Sequence, residues 1–310
     1  MSKNINPADL GFFSTLIASG SLGAAARELG ITTAAVSKHL ALIEHRLGIT
    51  LVNRTTRRMS LTPEGDIYLE HARKILGEID DMEHVLWGST LAPKGLLRVN
   101  ATLGFGRTQI APLISKYAKQ YPAVDIQLQL SVTPPPITDD SYDVCFRFGH
   151  PPDSRSISRF IASNRRILVA SPHYIKKFGN PKSPQDLIKH NCIGIRQGDE
   201  AYGVWKFNNA KAKNSSTESI KIRGNLTTND GEIAVNWALD GHGILMRAEW
   251  DVIKHIQSGK LIHILDNFST PDADIYAIYS KVHKGSARIK TLIDFVTESF
   301  NKDTNFSRNL

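Results

Sequence analysis

Ser21-Leu22-Gly23-Ala24-Ala25-Ala26-Arg27-Glu28-Leu29-Gly30-Ile31-Thr32-Thr33-Ala34-Ala35-Val36-Ser37-Lys38-His39-Leu40-Ala41-Leu42-Ile43-Glu44 decides the fold of the N-terminal part. It reads as two helices joined by a tight corner. Ser21 is placed to N-cap the first helix, whose apolar face is Leu22, Ala25, Ala26 and Leu29. Gly30 stands where the chain must turn, because a residue without Cβ takes a positive φ most easily. Thr32 caps the second helix, on which Val36, Leu40, Ile43 and Leu47 share one face. Ala26 supplies the small residue and Val36 the branched plug that a helix-turn-helix needs at its crossing. The other face of the second helix, with Thr33, Ala34, Ser37, Lys38 and Ala41, is short and polar or methyl-bearing, which suits approach to base edges.

Working outward, Asn6 and Pro7 start a helix with a buried face of Leu10, Phe13, Leu16 and Ile17. After the helix pair, Leu51-Val52-Asn53 and Met59-Ser60-Leu61 are two short extended pieces around Arg54-Thr55-Thr56-Arg57-Arg58, a basic wing tip. Asn53, Arg54, Arg57 and Arg58 are candidates for phosphate or minor-groove contact. Thr62-Pro63 with Glu64 and Asp66 opens a long helix. Tyr68, Ala72, Ile75, Ile79, Met82 and Leu86 recur along it at heptad spacing, so a dimerisation helix is expected. Residues 89–95, with Pro93 and Gly95, read as a linker.

Charge adds to this reading locally rather than globally. The chain has 310 residues, a net charge of +8 and an ordinary apolar fraction of 41%. Residues 1–62 carry 7 Lys or Arg against 3 Asp or Glu, residues 63–91 carry 2 against 7, and the rest carries 29 against 20. Most of the surplus thus lies after residue 91, and the Arg54–Arg58 cluster points to a polyanion more directly than the total does. Two cysteines, Cys145 and Cys192, fit a reducing compartment. There is no apolar leader and no membrane-length run, so a cytoplasmic location is expected.

Beyond Gly95 strands and helices alternate, which predicts mostly parallel sheets covered by helices on both faces. Strands are expected at 96–101, 124–130, 142–148, 166–171, 192–196, 220–228, 243–247, 261–265 and 274–280. Helices are expected at 107–120, 184–190, 230–240, 248–257 and 286–300. Two lobes follow, with the chain crossing near 161–165 and again near 266–270. A small-molecule site belongs in the cleft between them, at strand C-termini. The loops Ala101–Arg107 and Thr227–Gly231 each open a helix there and offer N–H groups to an anion. Thr102, Gly104, Phe105, Arg107, Arg147, Arg196, Asn229 and Arg247 are the candidate effector contacts.

An enzyme is disfavoured by what is missing. There is no His-Glu-x-x-His, no Gly-x-Ser-x-Gly and no cysteine pair at metal-ligand spacing. Gly104-x-Gly106 and Gly241-His242-Gly243 lack the third glycine of a dinucleotide fingerprint. No catalytic residue, cofactor or metal is expected. The alternatives are an enzyme acting on a small organic acid or a ligand-binding protein without DNA affinity; an architectural DNA binder would not need some 200 further residues.

The helix pair, Leu51–Arg58 and Leu61-Thr62-Pro63-Glu64-Gly65 together resemble the LysR-type transcriptional regulators over nearly the whole chain. Gly104–Arg107, Arg166-Ile167-Leu168, Gly231-Glu232-Ile233, Trp237-Ala238-Leu239, Arg247–Val252 and Ser258–Leu261 are similar to the subgroup regulating tartrate and D-malate utilisation. The resemblance implies an α/β chain with three parts. These are a winged helix-turn-helix at 1–62, a linker helix at 63–91 and a two-lobed effector domain at 92–310 akin to periplasmic binding proteins. Lobe I would hold 92–163 and 268–303, and lobe II 164–267. It further implies a dimer of dimers on double-stranded promoter DNA. With the arginines above, a small anionic effector of the hydroxy-dicarboxylate or a similar organic-acid class is expected.

Overall fold

The structure, a computed structural model, describes residues 5–54, 59–87, 93–133, 142–149, 156–196, 203–208 and 217–302. Its contacts divide into two compact units. The first runs to Leu96 and takes in Tyr121–Asp125 and Gly285–Arg288; the second holds the remainder.

The first unit contains α1 (Pro7–Ala18), α2 (Leu22–Leu29), α3 (Thr33–Leu47), β1 (Val52–Arg54), β2 (Met59–Leu61) and α4 (Pro63–Trp87). Each of the first three helices begins on a side-chain cap. Asn6, Ser21 and Thr32 accept the N–H groups of Ala8, Ala24 and Ala35. Gly30 turns the corner in the left-handed region at φ 67°. Phe13, Leu16, Ala26, Val36, Leu40 and Ile43 form one buried core with Leu51 and Leu69. β1 and β2 pair antiparallel, Val52 opposite Leu61.

The expected seam of α4 divides. Tyr68, Leu69 and Ala72 belong to the core of their own unit, with Tyr68 edge-on to Phe13. Ile75, Met82 and Leu86 are exposed, Leu86 at 67%. The first turns therefore anchor the helix, and only the later ones offer an apolar stripe.

The second unit has two lobes. After β3 (Gly95–Thr102) come α5 (Leu103–Phe105), a π turn at Gly106–Ile110 and α6 (Ala111–Gln120). Then follow β4 (Val124–Ser131), β5 (Val144–Phe148) and β6 (Ser156–Ala162). The chain crosses to β7 (Arg166–Ala170), α7 (Pro172–Phe178), β8 (Cys192–Ile195), β9 (Val204–Asn208), β10 (Thr217–Lys221) and β11 (Thr227–Thr228). α8 (Gly231–Leu239), β12 (Ile244–Ala248), α9 (Glu249–Gln257) and β13 (Ile262–Ile264) complete that lobe, and β14 (Ile275–Ser280) and α10 (Ala287–Lys302) return to the first. Lobe I is the sheet β4-β3-β5-β14-β6, and lobe II is the sheet β11-β8-β12-β7-β13 beside a separate β9–β10 hairpin.

Both large sheets are mixed rather than mostly parallel. β14 lies antiparallel to β5 and β6, and β7 antiparallel to β12 and β13. Alternate residues of β7 serve opposite faces: Ile167 and Val169 pack under α8 and α9, Leu168 and Ala170 under α7. Side-chain bonds join the two crossings. The Asn164 amide donates to the Ala273 carbonyl at 2.9 Å, and its backbone N–H to Asp274 Oδ1 at 3.0 Å. The expected strand 220–228 is interrupted between β10 and β11, and in the gap a Cβ at Gly224 would lie 1.7 Å from the Cys192 carbonyl oxygen. Helix α7, capped by Ser171, and strands β6 and β9 were not expected from the sequence.

Candidate functional sites

On α3 the core face is fixed from behind. Val36, Leu40 and Ile43 are buried, and the buried Asp9 carboxylate of α1 receives His39 Nε2 at 2.9 Å and Arg46 at 2.7 Å. The His39 ring stacks on Phe12 with centroids 4.0 Å apart. These contacts set the roll of α3 about its axis. Thr33, Ala34, Lys38 and Ala41 are exposed on the opposite side, and Ser37 is half-buried. Thr32 spends its hydroxyl oxygen on the cap.

The wing is tied to the same helix. Glu44 Oε1 accepts the N–H groups of Leu51 and Val52 at 2.9 and 3.2 Å. Asn53 is exposed, with its amide donating to the Leu61 carbonyl at 3.4 Å. Arg57, Arg58 and the side chain of Arg54 lie outside the described residues. The Asp9–His39–Arg46 cluster could not be read from sequence, because its partners are 30 and 37 positions apart with no shared local pattern.

In the second unit a cleft of about 330 Å³ opens between the lobes. Thr102, Gly104, Phe105 and Arg247 line it, as does Arg166, which the sequence reading did not select. Thr102 stands at the head of α5 without capping it through its side chain. Phe105 is buried with its ring 5.2 Å from Phe148 and 5.6 Å from Trp250. The Arg247 side chain is only 9% exposed. Its Nε donates to Asp251 at 2.5 Å, and its guanidinium carbon lies 5.9 Å from the Trp250 ring centre. The guanidinium fills the space that a side chain at Gly231 would need: a Cβ there would come within 2.0 Å of Nη2. A Cβ at Gly104, in lobe I, would lie 3.2 Å from that same nitrogen. One cation thus lies beside a glycine of each lobe.

The other selected residues are elsewhere. Arg107 does not line the cleft; it bridges the lobes outside it, 2.7 Å from Glu232 and 3.4 Å from Asp230. Arg147 sits on β5 opposite Tyr276 of β14, and its buried Nε has no hydrogen-bond partner among the described residues. Arg196 and Asn229 are exposed and do not line the cleft. The start of α8 is partly satisfied, because Asp230 Oδ1 accepts the N–H groups of Glu232 and Ile233 at 2.8 and 3.3 Å. Those two groups are already taken. Trp205 and Lys206, also in the lining, come from β9, whose pairing with β10 is not local enough to read in advance.

Burial pushes the thiols of Cys145 and Cys192 up to about 12, so both are held neutral rather than as nucleophilic thiolates. Among the described residues no three His, Cys, Asp or Glu side chains are grouped to hold a metal, and no helix is long and apolar enough to cross a membrane.

Comparison with known proteins agrees with this architecture. Residues 7–66 match the bacterial regulatory helix-turn-helix protein family, lysR type, and residues 92–301 match the LysR substrate binding domain. The HTH-type transcriptional activator TtdR of Escherichia coli strain K12 is 34% identical over 292 residues, covering 93% of this chain and 91% of that protein. The HTH-type transcriptional regulator DmlR of the same strain is 35% identical, covering 94% of each. The solved structure of CrgA, a LysR-type transcriptional regulator from Neisseria meningitidis, superposes with a TM-score of 0.59 at 29% identity, covering 96% of this chain and 99% of that one. These relatives are named as transcriptional regulators. With an N-terminal helix-turn-helix for DNA and a two-lobed domain for an effector, the chain belongs to the LysR family of bacterial transcriptional regulators.

Proposed function

We propose that the protein acts in the cytoplasm as a homo-oligomer, a dimer of dimers, on a promoter dyad, with one α3 per half-site. A small organic acid bound in the interlobe cleft biases its arrangement on DNA. The observation that carries the DNA reading is the orientation of α3. Its apolar face is locked to the core by Val36, Leu40 and the Asp9 cluster, which leaves Thr33, Ser37 and Lys38 facing outward beside the wing. Thr33, Ser37 and Lys38 take base edges or adjacent phosphates, with Thr32 at the helix start, while Asn53, Arg54, Arg57 and Arg58 take the backbone or minor groove. The exposed stripe Ile75, Met82 and Leu86 supports pairing of α4 with a second copy. Arg247, with Thr102, Gly104 and Phe105, supports the acid in the cleft. The acid shifts the lobes only as far as it binds one arrangement better than the other.

Fluorescence anisotropy on a labelled duplex from the intergenic region upstream of the gene tests the DNA contacts. Lys38→Ala should weaken binding and reduce the slope of log affinity against log salt by about 0.9, the value for one lost phosphate contact. An unchanged slope would take Lys38 off the phosphate list. Saturable binding that this duplex shares equally with random DNA would remove the promoter-specific reading.

A further inference from the structure

The positive charge of lobe II is gathered on one side of its sheet. α8 and α9 pack on the face of Ile167 and Val169, whereas α7, the 3-10 turn Pro184–Lys189 and the β9–β10 hairpin pack on the face of Leu168. Residues 172–228, which contain that second layer, carry 10 Lys or Arg against 4 Asp or Glu, a surplus of six in a chain whose net charge is +8. Residues 230–257, which contain α8 and α9, carry 2 against 5.

The cations of the second layer are also unpaired. Lys176, Lys177, Lys182, Lys189, Lys221 and Arg223 are all exposed, and among the described residues none of them forms an ion pair. In the same unit Arg107, Arg159, Arg165 and Arg247 each have a carboxylate. The carboxylates described in the layer are engaged locally. Asp186 accepts the N–H groups of Lys182 and Ser183, and Glu218 of β10 accepts the amide of Gln185 at 2.6 Å, which ties the turn to the hairpin. The turn is tied to α7 as well, since the Tyr174 hydroxyl lies 3.2 Å from His190 Nδ1. Like charges held together without counter-ions repel one another, and a polyanion relieves that repulsion.

The kind of polyanion follows from the residue types. Interfaces between proteins are depleted of lysine and centred on apolar anchors. Five of these six cations are lysines, and their exposed apolar neighbours are Phe178 and Ile188. Phe178 is already engaged, its ring 4.8 Å from Tyr174 with Lys177 Nζ 5.2 Å from its centre. Lysines meet phosphate as point charges and need no pocket. A duplex held by α3 is present at high effective concentration for any further surface of the same assembly. We propose that the outer side of α7, the Pro184–Lys189 turn and β10 is a second phosphate-contacting surface, which takes the backbone of the duplex flanking the half-sites. It adds affinity without reading sequence.

Anisotropy against salt tests this with the full chain on two upstream duplexes, one trimmed to the half-sites and one extended by several helical turns on each side. Lys176→Ala/Lys177→Ala/Lys182→Ala/Lys189→Ala should lower the log–log slope on the extended duplex by at least about 1.8, the value for two lost phosphate contacts. It should leave the trimmed duplex unchanged and, because all four side chains are exposed, the melting temperature within a few degrees. Lys254→Ala/Lys260→Ala, in and just after α9, should change neither slope. An unchanged slope on the extended duplex in the fourfold variant overturns the proposal, as does an equal fall in the Lys254/Lys260 control. Loss of transcription by purified RNA polymerase with the slope unchanged would give the layer to an acidic protein and overturn the DNA assignment. Wild-type protein that binds neither duplex would overturn the DNA reading of α3 itself, and this surface with it.

Discussion

Gly65→Ala is expected to melt the N-terminal unit well below the wild-type protein. Gly65 lies in the first turn of α4, where its N–H donates to Thr62 Oγ1 at 2.9 Å. Thr62 in turn donates its hydroxyl to the Thr50 carbonyl and its backbone N–H to Leu51. That hydrogen bonding draws the helix start onto the strand leading into the wing. An added Cβ would stand 2.0 Å from the Leu51 carbonyl oxygen and 3.1 Å from Leu61 Cδ2. The first of these is backbone and cannot swing aside, so helix and wing must separate. Overpacking of this kind costs about 3 kcal/mol, against about 1 kcal/mol gained from alanine's helix propensity. A net loss of about 2 kcal/mol should lower the N-terminal transition by about 10 °C in a unit of this size. Circular dichroism melting reads it directly; a transition within a degree or two of wild type would show that the close approach is absent.

Gly231→Val should abolish the response to an acid. The guanidinium of Arg247 occupies the place of the Gly231 side chain, with Nη2, Cζ and Nη1 all within 2.4 Å of the missing Cβ. Arg247 is the far end of a flexible side chain, so the fold can yield, but only by moving the cation. Its Nε is tied to Asp251 and its flank lies over Trp250, which leaves the cleft as the direction of retreat. There it would occupy the space intended for the ligand. We expect folded protein, at a cost of about 1–3 kcal/mol, with acid binding weakened at least about tenfold. Calorimetry with whichever of benzoate, 4-methylpentanoate, D-malate or L-tartrate binds the wild type checks this. Wild-type affinity in the variant would show that Arg247 is not the acid's partner.

What was legible in the sequence was what is decided locally. Asn6, Ser21, Thr32 and Thr62 each cap the helix they precede, and Gly30 takes the left-handed turn, because a cap or a turn involves residues within a few positions. Burial of Ala26 and Val36 follows from helical periodicity in the same way. Strand direction was not legible: β14 enters between β5 and β6 from the return crossing, so it runs antiparallel to both. β9 exists only through its pairing with β10 across residues outside the described structure. The arginines show the same limit. Arg107 and Arg247 look alike as cations next to a glycine-containing loop. Arg107 finds its carboxylates 123 and 125 residues away, and Arg247, on β12, finds Asp251 four residues along in α9. Nothing local marks the carboxylates that take Arg107.

The most direct test is a nuclease footprint of the full-length protein on its own upstream intergenic duplex at low ionic strength, with and without the acid that calorimetry selects. The account predicts protection of two half-sites about one helical turn apart or at a multiple of that spacing, with the extent or spacing of protection changed by the acid. No protection at any protein concentration, with or without acid, would contradict it.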